Sequence, residues 1–256
     1  MSSGQTAKQW FVNFRPNPQA SLRLFCFPYA GGGSNLFRHW QVRLPSFIEV
    51  YAAQLPGRGP RMAEPPFKSL LPLAEAVAGG FGQLLDKPFA FFGHSMGALI
   101  AFETARLLRG GGGRGPLHLF ASGHPAPQLP RTSDPTYTLP DEELIEELRR
   151  LNGTPPDVLA MPELMQLMLP ILRADFEVCQ TYECSAGPPL DCPITAFAGA
   201  GDEEAGPERV EPWREQTAAA FSLFTLPGDH FFLHDSEAKL LQVIVQQLHR
   251  AVLSRV

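Results

Sequence analysis

The chemistry of this 256-residue chain centres on Gly93-His94-Ser95-Met96-Gly97. An apolar run, Phe89-Ala90-Phe91-Phe92, leads into it, and Ala98 and an amphipathic run to Arg109 lead away. That context reads as a nucleophile elbow: a strand ends abruptly, a strained turn carries the serine, and a helix leaves at once. Strand and helix then pass so closely that only glycine fits on either side. Such a turn exposes the Ser95 hydroxyl and leaves the Met96 amide free to face an oxyanion. A serine that merely caps a helix accounts for Ser95 but leaves both glycines unexplained.

A hydroxyl is a weak nucleophile until a base takes its proton, and imidazole suits that task near neutrality. Of seven histidines, His230 follows the last predicted strand, in Pro227-Gly228-Asp229-His230-Phe231-Phe232-Leu233. His39, His118 and His249 fall within elements and read as packing or surface residues. His94 lies inside the elbow, badly placed to serve Ser95. His230 and His234 are four apart, but the glutamate of a zinc-protease helix is missing, and no metal is expected. The imidazole needs a carboxylate to fix its tautomer. Asp202, just past the penultimate strand, is the favoured acid; Glu203 and Glu204 are adjacent rivals, and all three would also suit a solvated acidic turn. The order serine, acid, histidine, each after a strand, is the order this elbow brings with it. The second oxyanion donor belongs in the glycine-rich loop Pro28-Tyr29-Ala30-Gly31-Gly32-Gly33-Ser34, at Ala30. That loop lacks the lysine of a Walker loop and does not match Gly-x-Gly-x-x-Gly, so no cofactor is expected. The expected cycle is attack by Ser95, an oxyanion on the Ala30 and Met96 amides, an acyl-enzyme, and release by water activated by His230.

Strand patterns that could position these residues fall at 21–27, 47–53, 88–92, 116–122, 193–197 and 221–226. Helical patterns fall between them: 34–44 with Phe37, Trp40 and Leu44 on its apolar face and Ser34 as cap, then 69–85, 96–109, 210–219 and 236–253. This alternation specifies a mostly parallel sheet with helices on both faces. About 20 residues of tail precede it, and the glycines at 110–113 and 115 read as a surface loop. Between 124 and 191 the rhythm breaks into helical patterns at 141–151 and 162–182, the second interrupted by Pro170. The expectation is a single domain over 1–256 with an inserted helical lid at 124–191. Its stripe of Leu164, Met165, Met168, Ile171, Leu172 and Phe176 either packs on the body or roofs an acyl pocket, where flexible methionines would suit a variable ligand.

Composition narrows the partners. A net charge of −5 argues against nucleic acid. The polar first ten residues hold no signal-peptide core, and no run of 18 apolar residues suggests a membrane span. A cytoplasmic monomer is expected. Cys26, Cys179, Cys184 and Cys192 have neither metal nor redox spacing and read as reduced small hydrophobes.

Four blocks taken together carry a resemblance: residues 27–34, Leu55-Pro56-Gly57-Arg58-Gly59, residues 91–97 and residues 227–233, with Leu172-Arg173-Ala174-Asp175 and Trp213 beyond them. The chain resembles the type II thioesterases, the stand-alone editing enzymes of polyketide and nonribosomal peptide synthases. The medium-chain thioesterase of animal fatty acid synthesis shares these blocks. The resemblance implies an α/β-hydrolase fold with a helical lid and hydrolysis of acyl groups from the phosphopantetheine thiol of an acyl or peptidyl carrier protein, with Ser95, Asp202 and His230 as triad and Ala30 and Met96 as oxyanion donors. It leaves Arg58 and Arg61 open, either pairing internally or meeting a carrier phosphate; with Arg131 they are the arginines expected near the entrance. A medium-chain fatty acyl thioesterase and a general small-ester hydrolase are the alternatives.

Overall fold

The computed structural model describes residues 9–112 and 115–253. Seven strands form one sheet: β1 (Phe11–Val12), β2 (Leu22–Phe27), β3 (Ile48–Ala53), β4 (Phe89–His94), β5 (Leu119–Ser122), β6 (Ile194–Gly199) and β7 (Phe221–Leu226). Their spatial order is β1-β3-β2-β4-β5-β6-β7, with β1 antiparallel and every other pairing parallel. All six residues of β2 and of β4 are buried. That is why these strands read as continuous apolar runs rather than as alternation: both faces of a central parallel strand are covered. Phe25 and Phe27 of β2 enter one core, while Leu22, Leu24 and Cys26 enter the other.

Nine α-helices are assigned among the described residues: α1 (Trp40–Arg43), α2 (Leu70–Gly80), α3 (Met96–Gly110), α4 (Asp141–Leu151), α5 (Pro156–Leu159), α6 (Pro162–Gln180), α7 (Pro207–Val210), α8 (Phe232–Asp235) and α9 (Glu237–Leu253). The first core holds residues of α2 and α3, and the opposite core holds Trp40 of α1 with Leu240, Leu241, Ile244 and Leu248 of α9.

The structure departs from the sequence expectation in four places. The tail is not all tail: Trp10 is buried, β1 pairs with β3, and Phe11 stacks on Phe81 with ring centroids 4.6 Å apart. A two-residue strand is too short to show a period. The 34–44 pattern is split into a 3₁₀ turn (Ser34–Phe37) and α1, and Ser34 Oγ donates to Gln54 Oε1 at 2.7 Å instead of capping. The 69–85 pattern ends as α2 at Gly80, followed by a 3₁₀ turn (Gly82–Leu85). The 210–219 pattern is α7 followed by a 3₁₀ turn (Glu211–Gln216) with Pro212 near its start. Of the glycine run at 110–115, Gly113 lies outside the described residues.

Helices α4 to α6 sit between β5 and β6 and carry a small core of their own, made of Leu144, Leu148, Leu159, Met165, Leu169 and Leu172. Helix α6 runs through Pro170. Among the described residues no helix is long and apolar enough to cross a membrane. The four cysteines are free thiols.

Candidate active site

The elbow is built by close approach. Ser95 follows β4 at φ +54° and ψ −121°, and α3 begins at the next residue. A Cβ on Gly93 would lie 2.0 Å from the Gly97 carbonyl oxygen, and one on Gly97 would lie 2.1 Å from the Phe27 carbonyl oxygen. No side chain fits either space. The positive φ at a non-glycine residue is strain that the surrounding sheet must hold. Part of that hold is the Ser95 amide, which donates to the Ser122 carbonyl of β5 at 2.7 Å.

The loops after β6 and β7 bring Asp202 and His230 to the serine. His230 Nε2 lies 3.0 Å from Ser95 Oγ, and His230 Nδ1 lies 2.8 Å from Asp202 Oδ2. A carboxylate only accepts, so Nδ1 carries the proton and Nε2 is left to accept from the serine hydroxyl. Asp202 is itself fixed, its Oδ1 accepting from the Glu204 amide at 3.0 Å and the Ala205 amide at 2.9 Å. Burial works against the imidazolium of His230, but the hydrogen bond and charge of Asp202 outweigh it and raise the His230 pKa above the ordinary value. Burial likewise opposes the Asp202 carboxylate, and His230 with the two amides holds its pKa below the usual range. Neither rival acid reaches the histidine. Glu204 pairs with Arg150 at 3.2 Å, and Glu203, largely exposed, lies 3.9 Å from the same arginine.

His94 takes a part its place in the sequence did not suggest. Its Nε2 meets the His230 carbonyl oxygen at 2.9 Å, and its Nδ1 meets Ser122 Oγ at 2.9 Å. Because a carbonyl only accepts, Nε2 holds the proton and Nδ1 accepts from the serine. Burial, with the nearby His230 charge adding to it, pushes the His94 pKa well below the ordinary value, which keeps this ring neutral. A neutral ring inside the elbow thus pins the backbone of the candidate base. The pairing across 136 residues has no local sequence signal. Gly228, at φ +121°, adopts a backbone conformation that L side chains rarely take, two residues ahead of His230.

The glycine loop after β2 forms a turn closed by the Gly32 amide on the Tyr29 carbonyl at 2.9 Å, with Gly31 at φ +77°. A positive φ at the third position marks a type II turn. Ala30 is the second residue of that turn and lines one cavity with Ser95 and His230. Arg58 and Arg61 are not docking cations. Arg58 is buried and forms a two-pronged pair with Asp175 of α6, Nη1 to Oδ2 at 2.7 Å and Nη2 to Oδ1 at 2.8 Å. Arg61 is buried against Glu64, donates to the Gln54 carbonyl and lies over the Trp10 ring.

The cavity, about 220 Å³, is bounded by Tyr29, Leu148, Phe231 and one face of α6: Leu172, Phe176, Cys179 and Gln180. This replaces the methionines suggested by the stripe. Met165 and Met168 pack in the small core of the insertion, because the apolar arc of α6 is wide enough to serve two neighbours at once. His124 also lines the cavity; burial lowers its pKa to about 4, and its Nδ1 donates to the Pro125 carbonyl at 2.7 Å. Arg131 is exposed at the cavity rim and donates to the Gln180 carbonyl at 2.7 Å. His234 contacts the Tyr29 hydroxyl at 3.2 Å, and no cluster able to hold a metal occurs among the described residues.

A serine hydroxyl within hydrogen-bond reach of an oriented imidazole, beside a cavity, can carry out acyl transfer through a tetrahedral oxyanion. Comparison with known proteins points the same way. A family model described as a thioesterase domain matches residues 22–251. The gramicidin S biosynthesis protein GrsT of Aneurinibacillus migulanus is 49% identical over 240 residues, 94% of each chain. Among solved structures, the RedJ thioesterase from the prodiginine biosynthetic pathway of Streptomyces coelicolor superposes with a TM-score of 0.86 at 44% identity, covering 91% of this chain and 92% of RedJ. The type II thioesterase BorB from the borrelidin biosynthetic cluster gives a TM-score of 0.86 at 36% identity, covering 93% of this chain and 97% of BorB.

Proposed function

The chain belongs to the thioesterase domain family, and on that premise we propose that it is a type II thioesterase that clears acyl groups from the phosphopantetheine arm of a carrier protein. The observation that carries the reading is the relay of Ser95, His230 and Asp202, at 3.0 and 2.8 Å, opening on a cavity walled in part by Leu148, Leu172 and Phe176. Support for the carrier comes from the relatives, which are named for peptide, prodiginine and borrelidin biosynthesis.

In this mechanism His230 Nε2 takes the Ser95 proton as Oγ attacks the thioester carbonyl. The oxyanion is stabilised by the Ala30 and Met96 amides. As the tetrahedral species collapses, the carbon–sulfur bond breaks and His230 returns its proton to the thiolate, releasing the pantetheine thiol. Water then gives a proton to His230 and attacks the acyl-enzyme, and the second collapse frees the carboxylic acid and restores Ser95. The helices over residues 124–191 act as the lid of the cavity.

A cavity that accepts many acyl groups discriminates weakly, since one methylene in an apolar site is worth about 1–3 kcal/mol. Recognition then rests on the carrier. With Arg58 and Arg61 paired internally, Arg131 at the rim is the remaining arginine of the three to meet an acidic partner. The expected result is a higher kcat/KM on acyl-carrier protein than on the matching acyl-coenzyme A. That advantage should narrow in R131A and as ionic strength rises past about 0.15 M, where the Debye length is roughly 8 Å. Equal efficiency on both substrates at every salt concentration would leave a hydrolase of free acyl thioesters. Failure of a fluorophosphonate to label Ser95, read by intact mass, would remove the serine mechanism altogether.

A further inference from the structure

Asp175 lies on α6, 80 residues from the nucleophile in sequence, yet its carboxylate is built into the turn that carries Ala30. Oδ2 accepts from the Gly31 amide at 2.7 Å. The same oxygen and its neighbour take the two prongs of Arg58, whose Nη1 also donates to the Gly32 carbonyl at 2.9 Å. Thus the Gly31 N–H and the Gly32 C=O, two groups of one turn, are held by a single ion pair, with Arg58 7% and Asp175 3% exposed. One helical turn before Asp175, Leu172 presses on the same spot: a Cβ on Gly31 would lie 2.6 Å from Leu172 Cδ2. Helix α6 therefore rests directly on the Tyr29–Gly32 turn by one apolar and one ionic contact.

The direction of the peptide between the second and third residues is what separates a type II turn from a type I turn. Here that peptide joins Ala30 to Gly31, and Asp175 Oδ2 is the acceptor for its N–H. Remove the acceptor and a part-buried donor is left unpaired, which favours a flip of that peptide to find another partner. A flip alters ψ of Ala30 and φ of Gly31, and with them the turn in which Ala30, the proposed oxyanion donor, lines the cavity.

Building on the proposed serine mechanism, we infer that Asp175 is a positioning residue of the oxyanion site: through Gly31 it sets the turn that aims the Ala30 amide, so the inserted helix α6 is part of the catalytic apparatus as well as a wall of the cavity. Asp175 touches neither substrate nor reacting atoms. Its effect is confined to the step in which negative charge develops on the carbonyl oxygen.

Two double variants isolate the acceptor from the ion pair. R58M/D175N and R58M/D175L both lack the buried charges, but in the first the amide oxygen can still accept from Gly31. Each is assayed with hexanoyl-coenzyme A and with an alkyl trifluoromethyl ketone, which adds Ser95 Oγ to its carbonyl carbon, passes the hydroxyl proton to His230 and leaves an oxyanion in the site. The asparagine variant should stay within about fivefold of the native kcat. The leucine variant should lose about a further 10²-fold in kcat, the scale of one oxyanion donor, with KM within threefold and ketone affinity reduced in parallel. R58M/D175A replaces the leucine variant, with the same expectation, if the latter does not fold. Equal kcat and equal ketone affinity in the two variants, whatever their melting temperatures, would overturn the inference and leave the pair a purely structural tie. An inert native protein that no fluorophosphonate labels would instead count against the serine mechanism itself.

Discussion

At the residue scale, the proposed mechanism makes the two hydrogen bonds of His230 the determinants of both rate and pH dependence. Ser95→Ala is expected to lower kcat by about 10⁶ and Asp202→Asn by about 10⁴; Glu204→Gln, whose carboxylate faces Arg150 instead, should leave kcat within a few fold. The base must be neutral to act. Since Asp202 holds the His230 pKa above 6.5, kcat/KM should rise with pH through a limb lying above 6.5. In Asp202→Asn the support is gone while burial remains, so the limb should move to lower pH as the rate falls. The stability contributions have opposite signs. His230, raised on folding, stabilises fully below its unfolded value and loses that contribution as pH rises through its folded pKa. Asp202, depressed on folding, stabilises above 3.8 and loses its contribution as pH falls through its folded pKa. Rate–pH profiles of the native chain and Asp202→Asn check the first pair of statements; an unchanged limb in the variant would mean another group titrates.

At the element scale, α6 divides its apolar arc between two jobs. Phe176 lines the cavity while also packing against the small core, whereas Met165 lies in that core with Leu144 and Leu159 and does not line the cavity. Phe176→Ala should therefore lengthen the preferred acyl chain, read from kcat/KM across a series of acyl-coenzyme A thioesters, with a modest cost in melting temperature. Met165→Ala should do the reverse: a loss of about 2–5 kcal/mol of stability from the cavity it opens, and an unaltered chain-length profile. A shifted profile in Met165→Ala would mean that the two faces of α6 are not separate.

At the scale of the whole molecule, the two cores on the faces of the sheet are large and aromatic, whereas the insertion rests on six buried side chains of its own. Its ties to the body include Val178, buried in the first core, Arg58 with Asp175, Leu172 over Gly31, Tyr182 with Glu103, and Asn152, whose side-chain amide donates to Asp229 Oδ2 at 3.0 Å. Fewer apolar contacts mean a smaller local unfolding free energy. Hydrogen exchange should accordingly be faster in the amides of α4 and α5 than in β2 and β4, and α6 should be protected most near Asp175. Uniform protection across body and insertion would show a single cooperative unit.

The sequence by itself determined whatever depends on neighbours along the chain. The elbow was legible because strand, glycine, serine, glycine and helix are consecutive. The parallel sheet was legible because fully buried strands read as unbroken apolar runs, and Asp202 and His230 because each follows directly on a strand. What only the tertiary structure decided are pairings between distant segments. His94 looked idle inside the elbow until β7's loop placed the His230 carbonyl 2.9 Å from its Nε2. Arg58 and Arg61 stood open between internal pairing and a carrier phosphate until the fold brought Asp175 and Glu64 to them. Met165 and Met168 stood open between core and cavity because periodicity marks an apolar arc without saying which neighbour each part of it faces. The physical reason is common to all three: local pattern reports that a side chain must be buried or paired, and only the packing of elements far apart in the chain supplies the partner.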